Sequence, residues 1–202
     1  NYTPEQSGLP EDLSSKGFEL INPFFETVPS LNDNALLLGY QRAYVDKLLS
    51  ISFEYDNVLY CVDNETNAHP AWAEYWAQYL RDRAGEAGVE IEVSEMWDTF
   101  DPTDGAVDGV KLQDTETHLY VKRSTPLNCL ARPDLYSFSD ISNHNAQQGE
   151  THYRTGFWFW KRIQGSEQVW PVHCDKMYGG DMHYDFSGTR QDGLERFWRN
   201  IF

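Results

Sequence analysis

The sequence reads as an α/β domain, a partial TIM (β/α)8 barrel in which parallel strands are mostly followed by helices. Three observations predict it. Four short strand-like runs recur along the 202 residues; three of them lead into a segment with helical character; and four or five such units are about half of what a closed barrel needs. Alternation of this kind implies right-handed crossovers and a sheet covered by helices. A half-barrel leaves two parallel edges open, so residues 1–202 are expected to be an incomplete domain with units missing at both ends.

Each element has its own signal. Phe18-Glu19-Leu20-Ile21 reads as the end of an earlier strand. The segment Asn34 to Ser50 has helical periodicity, with Leu36, Leu37, Tyr40, Ala43, Tyr44 and Leu48 on one face that is expected to be buried. Asn57 to Val62 is a β-branched and aromatic run bounded by polar residues, which is the pattern of a core strand. Helix Ala71 to Ala87 follows it, and then strand Glu90 to Glu95. The second unit is the weak one. Thr99 to Pro133 is long and rich in Asp, Thr and Pro, and reads as a solvated loop, with an insertion that forms one wall of a substrate cleft as the alternative. Its Asp101, Asp104, Gly105 and Asp108 miss the EF-hand spacing. Strand Leu135 to Ile141 leads to helix Gly149 to Ile163, whose Phe157-Trp158-Phe159-Trp160 is aromatic on all sides and is expected to be sandwiched in the core. Strand Val169 to Cys174 and helix Gly188 to Asn200 complete the series.

Composition narrows the function classes. A formal charge of −16 repels nucleic-acid phosphates and anionic lipid, and no basic patch offsets it, since Lys122-Arg123 and Lys161-Arg162 are isolated pairs. Neither nucleic acid nor membrane is therefore an expected partner; the sequence is silent on oligomeric state. Cys61, Cys129 and Cys174 follow neither a CxxC nor a zinc spacing, and Cys61 and Cys174 fall inside strand-like runs, which predicts buried thiols. There is no signal peptide and no apolar run long enough to span a bilayer, although Asn1 does not look like a natural start.

The chemistry is carried by Asp56-Asn57-Val58-Leu59-Tyr60-Cys61-Val62-Asp63-Asn64-Glu65-Thr66-Asn67, a strand pattern that runs straight into an Asn-Glu pair. Residues just past the C-terminal end of a parallel strand are where such folds keep their reactive groups. Glycoside hydrolysis needs one carboxylic acid to protonate the leaving oxygen and one carboxylate to attack or to activate water. Glu65 and Asp175 each follow a strand, and Glu95 is the rival second carboxylate. Burial by Trp97, Trp170 or Tyr178 would raise the pKa of the acid partner. Trp97, Tyr178 and Tyr184 are possible sugar platforms, because an aromatic face packs on the apolar C–H face of a pyranose. Asn143, His144 and Asn145 follow the third strand and can donate to hydroxyls.

These residues also carry a resemblance. Tyr40 to Lys47, Asp56 to Tyr60 and Asn64-Glu65 resemble the third helix, fourth strand and acid/base site of clan A glycoside hydrolases, nearest to bacterial glycosidases of the apiosidase-like and cellulase-like sort. The similarity runs on through Glu95-Met96-Trp97-Asp98, Phe138-Ser139-Asp140-Ile141-Ser142 and Glu195-Arg196-Phe197-Trp198-Arg199-Asn200. The resemblance implies a (β/α)8 barrel of which residues 1–202 are roughly units 3 to 7, with Glu65 as acid/base and Asn64 on a sugar hydroxyl. It also implies a nucleophilic Glu at the end of the seventh strand, where this chain has Val172-His173-Cys174-Asp175-Lys176, so the role passes to Asp175. Taken with the residues read above, the candidate substrate-binding set is Asn64, Glu95, Trp97, Asp98, Asn143, His144, His173, Lys176 and Tyr178. The expectation is a retaining hydrolase of a plant, algal or bacterial polysaccharide, secreted or periplasmic, without cofactor or metal. Two alternatives stay open: a metal-dependent hydrolase using His144, His173, Glu65 and Asp175, although no HxH or HExxH spacing supports it, and a carbohydrate-binding barrel without catalysis.

Overall fold

The computed structural model describes residues 23–64, 69–96, 129–142, 149–165, 170–174, 176–180 and 188–201. After a 3₁₀ turn at Pro23–Phe25 come helix α1 (Ala35–Ser52), strand β1 (Leu59–Cys61), helix α2 (Pro70–Ala87), strand β2 (Glu92–Ser94), strand β3 (Ser139–Asp140), helix α3 (Gly149–Gln164), strand β4 (Val172–His173) and helix α4 (Arg190–Ile201). Each of these helices and strands overlaps the run where the sequence places it. Local chemistry explains the helix ends. Asn34 caps α1 by accepting the Leu37 N–H at 3.1 Å. Pro70 opens α2, and Gly88 closes it at φ 68°, a left-handed angle that favours glycine. The start of α4 is held by a reciprocal box in which the Thr189 N–H donates to Asp192 Oδ2 at 2.7 Å and the Asp192 N–H donates back to the Thr189 hydroxyl at 3.4 Å.

The barrel itself is not found. Among the described residues the strands are two or three residues long and no sheet has more than two of them. A closed barrel needs an unbroken ladder of tilted strands, and two-stranded pieces cannot supply it. The apolar runs were longer than the ladders they make. In the run Leu135 to Ile141, the N–H groups of Leu135 and Tyr136 both donate to the Arg132 carbonyl, at 3.0 Å each, so the run begins as a turn and only Ser139–Asp140 enters a ladder. What stands is mixed α/β content with a parallel β3–β4 pair, Ser139 opposite Val172 and Asp140 opposite His173.

The chain divides into two compact units, Asn1–Val62 with Asn67–Glu92, and Asp63–Thr66 with Val93–Phe202. In the first, Val28, Leu38, Trp72, Ala73 and Trp76 form a core against which Phe25, Leu31, Val45, Tyr75 and Tyr79 pack. Phe25 meets Trp72 edge to face at 4.9 Å. Asp46 on α1 ties the helices together by accepting from the Tyr79 hydroxyl at 2.9 Å and Arg83 Nε at 3.0 Å. The face of α1 expected to be buried is largely the outer one. Leu37 is buried, together with Leu38, Gln41 and Leu49, whereas Leu36, Tyr40, Tyr44 and Leu48 are exposed. Apolar residues cover more than half of the helix circumference, so periodicity alone does not select the inward side. Cys61 is also exposed rather than buried, because β1 turns Leu59 and Cys61 outward.

The second unit buries Val93, Met96, Cys129, Leu135, Tyr136, Phe138, Ile141 and Ile163. Here α3 packs against α4. The expectation that Phe157 and Trp160 are enclosed fails: they are 41% and 46% exposed, and their rings stack on one another and on Tyr153 along the outer face of α3.

Candidate functional site

Two groups of polar residues in the second unit have the burial and partners of a built site. The first lies at the ends of β3 and β4. The parallel register sets Asp140 level with His173, and the Ile141 N–H donates to the His173 carbonyl at 2.8 Å, so the two side chains share a strand end. Asp140 is 2% exposed. Its Oδ1 accepts the Ser142 N–H at 2.8 Å, and its Oδ2 lies 3.1 Å from His173 Nδ1. Phe138 meets the imidazole edge to face, with ring centroids 5.9 Å apart.

The segment after β4 carries Lys176 and Tyr178, both half-buried. It is held by close backbone contact with α4. A Cβ on Gly179 would lie 3.0 Å from the Gly193 Cα, and one on Gly180 would lie 2.8 Å from the Arg190 nitrogen. Arg196, wholly buried, adds a bond from its guanidinium to the Tyr178 carbonyl. Burial and then Arg196 and Arg199 push the neighbouring His152 imidazole down to about 4, so it is neutral near pH 7.

The second group follows β2. Ser137 straddles Val93, donating its N–H to the Val93 carbonyl at 2.9 Å and accepting the Val93 N–H on its hydroxyl at 3.0 Å. That pairing brings Tyr136 to Glu95. Glu95 is 2% exposed, and the Tyr136 hydroxyl donates to its Oε2 at 3.1 Å. Burial first, then the Glu95 and Cys129 charges, push the Tyr136 phenol far above its usual range, so it stays protonated and stays a donor. Asp63, also buried, accepts the Met96 N–H at 2.8 Å and fixes the chain on the other side of Glu95.

Of the residues expected at a site, Asn64, Glu95, His173, Lys176 and Tyr178 fall in this unit, with Tyr136 beside Glu95 and Asp140 beside His173. Asn64 is exposed. Glu65, Trp97, Asp98, Asn143, His144 and Asp175 lie outside the described residues. Tyr136 and Asp140 were not singled out as site residues in the sequence. Among the described residues no group of three or more His, Cys, Asp or Glu could hold a metal, and no helix is long and apolar enough to cross a membrane. The first unit has an open apolar groove of about 600 Å³ lined by residues such as Tyr44, Leu48, Ile51, Leu59 and Trp76, with no carboxylate or imidazole among the described residues of its walls. No family model matches the chain, and no curated protein and no solved structure is significantly similar to it.

Proposed function

We propose that the chain is a glycoside hydrolase domain that cleaves O-glycosidic bonds of an oligo- or polysaccharide with two carboxylates and retention of configuration. Glu65 is the acid/base, and Glu95 is the second carboxylate, with Asp175 as its rival. The observation that supports this reading is the Glu95 environment: a buried carboxylate directly after a strand, aligned by a phenol that cannot ionise. Such a group is held in one orientation by a donor that stays protonated. In the first step a Glu95 oxygen bonds to the anomeric carbon while Glu65 gives its proton to the departing oxygen; in the second, Glu65 takes a proton from water, whose oxygen displaces Glu95.

Azide rescue tests the assignment. With aryl glycosides, Glu65→Gln is expected to lower the rate by about 10² or more when the leaving group is poor, and added azide should then give a glycosyl azide of retained configuration. In Glu95→Gln the azide product should be inverted. An inverted product from Asp175→Asn, with Glu95→Gln near wild type, would transfer the nucleophile role to Asp175. Unchanged hydrolysis in all three variants would end the two-carboxylate reading.

A further inference from the structure

We propose that Asp140 and His173 form a tautomer-fixing pair, in which Asp140 holds the Nδ1 proton of His173 and Nε2 is thereby presented as an acceptor to a saccharide hydroxyl at the ends of β3 and β4. The inference rests on the reading above for its ligand and on geometry for the pair itself. Asp140 is almost fully buried, and one of its oxygens is spent on the Ser142 N–H. Its other oxygen faces His173 Nδ1 at 3.1 Å, whereas the His173 side chain is 37% exposed. The ring therefore spans the boundary, with one nitrogen against a buried carboxylate. A carboxylate only accepts, so Nδ1 carries the hydrogen, and in the neutral ring Nε2 keeps its lone pair.

Two further features fix the ring. The Ser139 N–H donates to the Pro171 carbonyl at 3.1 Å and the Ile141 N–H to the His173 carbonyl, so the backbones cannot slide. The edge-to-face contact with Phe138 sets the ring plane. An exposed ion pair between two flexible side chains contributes little; here one partner is immobile. Asp140 is a positioning residue, acting through His173, and His173 is the group that touches substrate.

The test is the ring nitrogen NMR spectrum of the ¹⁵N-labelled chain, with His173→Gln to assign the signals. The wild-type His173 ring is expected as the Nδ1–H tautomer, and Asp140→Asn should lose that preference while the amide spectrum stays native. Oligosaccharides released from plant cell-wall polysaccharide by partial acid hydrolysis should move the Nε2 resonance, and His173→Gln should raise KM for them about tenfold with kcat little changed. An Nε2–H tautomer in the wild type overturns the pair, and that reading stands even if Asp140→Asn does not fold. An unmoved Nε2 with saccharides that the chain hydrolyses overturns the contact. If no saccharide is hydrolysed, the function reading falls, and the tautomer result still decides the pair.

Discussion

Tyr136 and Glu95 show how much a single contact can decide. The contact is buried, so removing the phenol hydroxyl takes a donor away from a buried carboxylate. Tyr136→Phe is expected to cost about 1–3 kcal/mol of stability, read by urea denaturation. If Glu95 is the second carboxylate, the variant also loses rate beyond what the loss of folded protein explains; a rate per folded molecule equal to wild type would place Glu95 in a structural role. The sequence points to Glu95 and His173 because each sits at the end of an apolar run. It does not point to their partners. Tyr136 is 41 residues from Glu95 and Asp140 is 33 from His173, and only strand register brings such distant residues level.

At the scale of elements, helices were legible and strands only in place. Capping residues such as Asn34, the Pro70 start and the Gly88 stop are local, so the sequence displays them directly. Strand length is decided by a partner, and Leu135 and Tyr136 satisfied an apolar pattern while folding as a turn. Helix faces were similarly ambiguous, as Tyr40 and Tyr44 on the outside of α1 demonstrate. The packing of α4 on the Lys176–Gly180 segment gives a sharp comparison. Gly193 touches the Gly179 backbone, so Gly193→Ala must push two main chains apart, and about 1–3 kcal/mol of destabilisation is expected. Gly85 in α2 has open space around it, so Gly85→Ala should stabilise by up to about 1 kcal/mol. Thermal melts of the two variants check this; similar shifts in both would mean that the glycine contact does not constrain the segment.

For the whole molecule, closure was the property least visible in the sequence. Each βα unit has a local signature, but a barrel is a count of ladders joined in a ring, and the described strands join only in twos. Charge acts at this scale as well. His152 has its folded-state value lowered from 6.5 to about 4 by burial and by Arg196 and Arg199. Between those two pH values the unfolded chain binds a proton that the folded one refuses, so this contribution is complete above 6.5 and is lost as pH falls toward 4. The slope is at most about 1.4 kcal/mol per pH unit. Denaturation midpoints of wild type and His152→Gln across that window should converge as the pH falls. Parallel curves would show that His152 titrates alike in both states.

One more consequence follows from how the chain is shared between the two units. Asp63–Thr66 belongs with Val93–Phe202, while Asn67–Glu92 belongs with Asn1–Val62. The polypeptide therefore crosses the boundary three times, and no single cut releases either unit free of part of the other. Cleavage after Glu92 would leave Asp63–Thr66 on the fragment that carries the first unit, and the second unit would be released without its short N-terminal piece.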